Sequence, residues 1–156
     1  MDRKMTPQQA LPKIKAVLDL GQTCQLTVTG TSMVPFLRHE KDAVILTAFS
    51  GAAVRGDILF YLRDGQTPIL HRVHRVRPDG SFLICGDNQI RLETVAPAQV
   101  LATVTHVIRR GKLIPCGSFL WRFLSALWLL LYPIRTPLLK LIHRLAAWKN
   151  HTPSPH

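Results

Sequence analysis

The chain has few acidic residues and few cysteines. The first gives it a strong positive charge, and the second bears on whether it has disulfides or a metal site. It has 9 Asp and Glu residues against 20 Lys and Arg, so its formal net charge is +11. The three cysteines, Cys24, Cys85 and Cys116, form an odd set without metal-ligand spacing. We expect them to be small buried side chains rather than a disulfide framework. The sequence contains no P-loop, dinucleotide fingerprint or cluster of metal ligands, so we expect neither a metal nor a cofactor.

The N-terminus lacks the apolar segment of a secretory signal. Met1 to Gln9 has no hydrophobic region and no cleavage site, so we predict neither a signal peptide nor an anchor there. The long apolar run lies instead at Phe119 to Ile134, where Arg122, Ser125 and Pro133 interrupt it. Crossing a bilayer takes about 20 apolar residues, so this run is borderline for a membrane span.

After Pro137 the sequence predicts a second helix with two unlike faces. One face is apolar (Leu138, Leu141, Ile142, Leu145 and Trp148), and the other carries Lys140, His143 and Arg144. This pattern is typical of a helix that lies in a membrane surface, and basic residues suit anionic headgroups. We therefore expect membrane lipids as a partner of this tail. The alternative is that both segments pack on the rest of the protein or on a second subunit. No nucleic-acid-binding motif is present, so nucleic acid is not an expected partner.

The middle of the chain has the pattern of a small β domain. Gln22 to Thr29 alternates between polar and apolar residues and predicts a half-buried strand leading into Ser32. Ahead of it, residues 12–20 favour a short helix with Pro12 in its first turn and Gly21 at its end. Further strand candidates, separated by turns rich in Gly and Asp, are Ala43–Leu46, Ile58–Leu62, Ile69–Val76, Ser81–Cys85 and Val100–Ile108.

These patterns predict a mostly β protein with a short N-terminal helix and a C-terminal apolar and amphipathic helical tail. We expect an N-terminal helical segment at residues 1–21 and a β domain at residues 22–110. The membrane-associated tail then covers residues 111–150, and residues 151–156 are expected to be disordered.

Ser32 is the candidate nucleophile. It lies in the segment Gly30-Thr31-Ser32-Met33-Val34-Pro35, between a glycine and a proline that favour a sharp bend. Gly30 would let a substrate strand approach closely, and Pro35 stiffens the chain behind the serine. Such a segment alone is usually only a loop, so the interpretation depends on the residues that accompany it.

His71 is the candidate general base, in the strand-like segment Leu70-His71-Arg72-Val73. An ordinary histidine pKa of about 6.5 allows it to accept the serine proton at neutral pH. His74 falls on the opposite face of the same strand, so only one of the two can face Ser32. His39 and His106 have no supporting context in the sequence.

Two carboxylates could orient His71. Asp87 lies in the turn Gly86-Asp87-Asn88, where the default role of an aspartate is to cap backbone amides. Glu93 follows shortly afterwards and could orient the histidine instead. The spacing alone does not choose between them.

Four segments, taken in order, resemble the signal peptidase I family and its relatives, the self-cleaving SOS repressors. They are Gly30–Pro35, Arg55–Ile58, Leu70–Val73 and Gly86–Asn88. Histidine at position 71 resembles the ER-type branch, which also occurs in some bacteria and archaea, where the common bacterial enzymes have lysine.

The resemblance covers about residues 28–108. It implies a β-rich fold and a serine endopeptidase that cleaves after small residues in an extended substrate, with Ser32 as nucleophile and His71 as base. It also implies that Glu93 stands where the ER-type branch has its third catalytic residue, while Asp87 holds the loop.

For a peptidase of this kind we expect the substrate-binding segment to comprise Gly30, Thr31, Met33 and Pro35, with Met33 lining a pocket for the substrate. Gly30 is a departure, because the family often has a serine there that donates to the oxyanion. The oxyanion hole would then depend on the Ser32 N–H and other donors.

The missing N-terminal anchor leaves the location open. Without an export signal, the simplest topology leaves the β domain on the cytosolic face of the membrane. The same residues are compatible with two other functional classes. A non-catalytic peptide-binding module of the same fold is the main alternative, and a self-cleaving regulator is disfavoured because little chain precedes Ser32 to hold a DNA-binding domain.

Overall fold

The computed structural model describes residues 6–149, which form a curved antiparallel sheet with one helix before it and two after it. Eight strands are present in this part of the chain. They are β1 (Cys24–Thr27), β2 (Asp42–Ala48), β3 (Ile58–Arg63), β4 (Thr67–Val76), β5 (Phe82–Cys85), β6 (Glu93–Val95), β7 (Val100–Arg109) and β8 (Lys112–Pro115). The mostly β fold with flanking helices that the sequence predicts is therefore confirmed.

The sheet order is β1-β2-β7-β3-β4-β5-β6. Strand β8 also pairs with β7, along residues 106–109, past the residues of β7 that pair with β3. Every pairing is antiparallel. All six predicted strands are present, and β6 and β8 are additional ones. Because β8 belongs to the sheet, the sheet extends past residue 110, where the sequence pattern ends the β domain.

Helix α1 covers Pro7–Asp19, and its predicted start at Pro12 is wrong. Thr6 caps the helix one turn earlier, because its hydroxyl accepts from the Gln9 N–H while the Gln9 side chain accepts from the Thr6 N–H. Pro12 therefore lies inside the helix. Ile14 and Leu18 of α1 join a core formed with β2, β3, β7 and the loop that carries Met33 and Leu37.

Helices α2 (Phe119–Leu130) and α3 (Tyr132–Lys149) follow the sheet. The second tail helix was expected after Pro137, but α3 begins at Tyr132 and contains Pro137. Within residues 6–149 no single helix has the length and hydropathy for a bilayer span; α2 and α3 reach them only together, across a 76° bend. The predicted disordered end at residues 151–156 lies outside the described residues.

Helix α2 packs on the β domain along one face, where it buries Trp121, Ser125 and Leu129. At the start of α3, the Arg135 side chain is also buried, and its guanidinium lies 5.1 Å from the centre of the Trp128 ring and 4.9 Å from that of Tyr132. Both tail segments therefore pack in part on the protein itself, which the alternative to a purely membrane-bound tail predicts.

Candidate active site

Ser32 and His71 line the same small cavity, although they are far apart in the chain. Ser32 lies in the loop between β1 and β2, and His71 lies in the first half of β4. The cavity has a volume of about 120 Å³, and Pro7, Met33 and Phe60 also line it. No direct hydrogen bond joins the Ser32 hydroxyl to His71 within residues 6–149. Such contacts are often long before substrate binds, so proximity in one cavity is the relevant observation.

The buried imidazole of His71 is held through its Nδ1 atom. Nδ1 lies 3.3 Å from the Tyr61 hydroxyl and 3.4 Å from the Glu93 Oε1 atom. The Tyr61 hydroxyl donates to the same carboxylate oxygen. Arg63 binds both Glu93 oxygens, at 2.6 and 3.0 Å. With Nδ1 occupied in this way, Nε2 is the ring nitrogen that remains to exchange a proton with a nucleophile.

The surroundings of His71 favour a neutral imidazole at rest. Burial lowers the pKa of His71 below its ordinary value, and the negative charge of Glu93 opposes that shift. Burial alone would raise the pKa of Glu93, but the hydrogen bonds from Arg63 and Tyr61 outweigh it and keep that pKa low. An ionised Glu93 beside a neutral histidine is the charge arrangement that a general base requires.

Asp87 faces a different partner. Its two carboxylate oxygens accept from Nε and Nη2 of Arg72, each at 2.8 Å, and both side chains are fully buried. Arg72 follows His71 in β4, so the two side chains point to opposite faces of the strand. Of the two carboxylates that the sequence left open, Glu93 lies against His71 and Asp87 does not.

The segment Gly86-Asp87-Asn88 also holds the loop that carries Ser32. The Asn88 N–H donates to the Ser32 carbonyl at 2.8 Å, and the Asn88 side chain donates to the Thr31 carbonyl at 3.3 Å. A Cβ atom at position 86 would lie 2.6 Å from the Ser32 carbonyl oxygen, so only glycine fits there without a shift. Sequence reasoning missed this contact, since it connects two loops far apart in the chain.

Gly30 adopts a backbone conformation that suits the bend expected before Ser32. Its φ is +81°, which glycine adopts without strain, and a Cβ there would meet no atom within 4 Å. The Gly30 N–H donates to Nδ1 of His39 at 2.9 Å. His39 therefore supports the bend before Ser32, although nothing in its local sequence indicated that role.

The predicted substrate-binding residues are not all in one place. Met33 is buried and lines the cavity that Ser32 and His71 share. Gly30 and Thr31 lie beside this cavity in the same loop without lining it. Pro35 lines a separate groove with Phe36 and Trp121.

Within residues 6–149, two strand edges without a neighbouring strand flank the cavity. In this part of the chain β1 pairs only with β2, and the first half of β4 pairs only with β3, because β5 pairs with β4 from Arg72 onward. Residues 26–29, which run from β1 into the loop after it, and residues 68–71 of β4 line the cavity. In the described part of the chain, the Ser32 N–H also has no hydrogen-bond acceptor. The backbone donors and acceptors needed to bind an extended peptide are therefore arranged around Ser32.

No family model, curated protein or solved structure matches this chain. Among the described residues, no three His, Cys, Asp or Glu side chains are grouped so that they could hold a metal ion. The chemistry available to the site is therefore that of Ser32, His71 and the groups around them.

Proposed function

We propose that this chain is a membrane-associated serine endopeptidase of the signal peptidase type, which removes a signal or leader segment from a precursor polypeptide. The observation that carries the proposal is the shared cavity of Ser32 and His71, with Glu93 held against Nδ1 of the histidine. A nucleophile, a base and an acid that orients the base form the arrangement of serine peptidases.

In this mechanism the Ser32 Oγ atom attacks the scissile carbonyl carbon while Nε2 of His71 takes the hydroxyl proton. The ionised Glu93 stabilises the imidazolium that forms. His71 then gives the proton to the departing amine, which leaves an acyl-Ser32 ester. Water, deprotonated by His71, hydrolyses that ester and restores the serine. The Ser32 N–H, which has no acceptor among the described residues, is the first donor available to the oxyanion.

The substrate would bind as an added strand between the edges of β1 and β4. Backbone hydrogen bonds along residues 26–29 and 68–71 would supply affinity for any extended sequence. Because the cavity of about 120 Å³ between Met33 and His71 is small, it favours a small side chain next to the scissile bond.

A non-catalytic peptide-binding module is the second candidate. Two observations favour it: Ser32 and His71 do not share a hydrogen bond, and Gly30 offers no side-chain donor to an oxyanion. The free strand edges would serve such a module equally well. The buried contact between Glu93 and His71 has no use in peptide binding alone, and it therefore favours the peptidase.

Peptide cleavage distinguishes the two candidates. The detergent-solubilised protein is incubated with a peptide library in which an apolar run precedes small residues, and mass spectrometry identifies new termini. We expect cleavage after small residues by the wild type and by Ser50→Ala, which changes an exposed serine that does not line the cavity. We expect none by Ser32→Ala or His71→Asn. Peptides that bind but are never cut by the folded wild type would support the binding module.

A further inference from the structure

Helix α2 has one face fixed to the β domain and an opposite face that is apolar and exposed. On the exposed face, Phe119 is 86% and Phe123 is 54% accessible, and their rings stack at 6.3 Å. We call this surface the α2 apolar face; it comprises Phe119, Leu120, Phe123, Leu127 and Leu130. Contiguous apolar surface of this kind usually marks an interaction site.

The α2 apolar face cannot turn inward, because polar contacts fix the other side of the helix. Nη1 of Arg72 donates to the buried Ser125 hydroxyl at 2.8 Å. The Trp128 indole N–H donates to the Asp87 carbonyl at 3.2 Å, and Arg122 pairs with Asp57 at 2.8 Å. Turning the helix over would break these bonds and expose Trp121.

The same contacts oppose a membrane span through α2 and α3. At about 1.5 Å per residue, neither the 12 residues of α2 nor the 18 residues of α3 reach the roughly 30 Å of a bilayer core. Together they could, but only if the 76° bend straightened. A span would also place α2 in the bilayer core, which would break its hydrogen bonds with Arg72 and Asp87.

The charge of the helices points to the partner. Glu93 is the last acidic residue of the chain, whereas basic residues continue as far as Lys149. Of these, Arg135 is buried, and Arg109 and Arg122 pair with Asp42 and Asp57. The side chains of Arg110, Lys112, Lys140 and Arg144 are exposed. A second copy would bring these like charges together, whereas an anionic lipid surface complements both the charge and the exposed apolar residues.

We infer that α2 and α3 lie in the plane of an anionic membrane surface without crossing it, with the α2 apolar face inserted at the boundary between headgroups and acyl chains. This inference deepens the membrane association in the proposed function, and it does not depend on the chemistry of Ser32. A cavity of about 610 Å³ lies between α3 and one side of the site, since Leu139, Lys140 and His143 line it together with Glu93 and Asn88. The active site would therefore lie beside the headgroup layer, where a precursor emerges from or rests on the membrane.

Vesicle flotation tests the partner. The full-length protein is mixed with vesicles of phosphatidylcholine alone or of equal parts phosphatidylcholine and phosphatidylglycerol. We expect stronger binding to the anionic vesicles and, for the double variant Phe119→Gln/Phe123→Gln, binding weaker by at least about tenfold. Leu20→Gln is the matched control and should bind like the wild type. Leu20 is also apolar and is 74% exposed, but it lies at the end of α1 and not in the C-terminal helices.

Charge is tested separately from apolar insertion. Lys140→Gln and Arg144→Gln should each weaken binding to the anionic vesicles by about fivefold and leave binding to phosphatidylcholine unchanged. Equal binding to both kinds of vesicle, or no effect of the double phenylalanine variant, would overturn the inference.

The orientation is tested by tagging both ends of the expressed chain. In sealed membrane vesicles, protease added to one face should remove both tags, and protease on the other face should remove neither. Tags on opposite faces would mean that the tail spans the bilayer. Sedimentation without lipid completes the test, because a stable dimer that the double phenylalanine variant abolishes would assign the α2 apolar face to a second copy.

Failure of this inference can be told apart from failure of the proposed function. Ser32→Ala should bind the vesicles like the wild type, since the serine lies on the β domain. The double phenylalanine variant should still cleave peptides in detergent, since its changes are on an exposed face. A wild type that cleaves peptides but does not bind anionic vesicles would overturn only the membrane inference, and a wild type that binds the vesicles but does not cleave would overturn only the peptidase.

Discussion

At the scale of single residues, the neighbours His71 and Arg72 connect β4 to two different parts of the protein. His71 points toward Ser32 and Glu93, whereas Arg72 points toward Asp87 and Ser125. Because successive side chains of a strand point to opposite faces, the residues of the candidate reaction lie apart from those that stabilise the loops around it. Replacing either residue would therefore have different consequences.

The pairing of Glu93 with His71 predicts a shift in the pH dependence of activity. The reaction needs neutral His71, whose pKa burial already lowers, so activity should persist below the ordinary histidine pKa of about 6.5. Glu93 raises the pKa of His71, and Glu93→Gln should therefore move the acid limb to still lower pH while slowing the reaction by about 10²-fold.

The measurement is the rate of reaction of Ser32 with a serine-directed probe between acid and neutral pH. Asp64→Asn, in the exposed turn after β3, is the matched control and should leave the acid limb in place. A Glu93→Gln profile that is lower but has the same acid limb would give Glu93 a structural role only.

Gly86 predicts a second residue-scale effect. Gly86→Ala would place a Cβ 2.6 Å from the Ser32 carbonyl oxygen, which is backbone and can move only with the whole loop. A displacement of about 1 Å at a reacting group can cost 10²-fold in rate, and we expect a loss of that order in probe labelling. Gly117→Ala, where the new Cβ meets nothing within 4 Å, is the control. Unchanged labelling of Gly86→Ala would show that the loop contact does not position Ser32.

How far the sequence predicts these residues depends on whether the signal is local. The bend around Ser32 and the strand of His71 have local patterns, and these patterns predict where both residues lie in the fold. The choice between Glu93 and Asp87 depends on β6, a three-residue strand whose Glu93 pairs with Ile84. So short a strand has no periodicity to detect, and its partner comes from tertiary structure alone.

At the scale of elements, α2 connects the tail to the site. Ser125 accepts from Arg72, whose guanidinium binds Asp87, and the residues on either side of Asp87 contact the Ser32 loop. The apolar run at residues 119–134 predicted a helix here, but its length suggested a membrane segment. Only the contacts of Trp121, Ser125 and Trp128 show that one face of the helix packs on the β domain.

Ser125→Ala tests this connection. It leaves the Arg72 Nη1 atom with one fewer buried acceptor, and we expect the free energy of unfolding to fall by about 1–3 kcal/mol. Denaturant unfolding measures the change, and probe labelling should fall with it because the Asp87 loop loosens. Ala126→Ser, on the exposed side of the same helix, is the control. Stability equal to the wild type would mean that water replaces the Ser125 hydroxyl without cost.

At the scale of the whole molecule, the candidate site is formed by residues from four separate parts of the fold. Ser32 comes from the loop after β1, His71 from β4, Glu93 from β6 and the supporting Tyr61 from β3. These strands are not all neighbours in the chain, and the order β1-β2-β7-β3-β4-β5-β6 brings them together only through the curvature of the sheet. Strand patterns predict the number and position of most strands, but not this order.

The most direct test of the central claim is labelling with a fluorophosphonate, which reacts with activated serines. The detergent-solubilised wild type, Ser32→Ala and His71→Ala are compared, and mass spectrometry locates the labelled residue. We predict labelling of Ser32 in the wild type and none in either variant, because the hydroxyl depends on His71 to take its proton. A folded wild type that does not label, or labels equally without His71, would contradict the account.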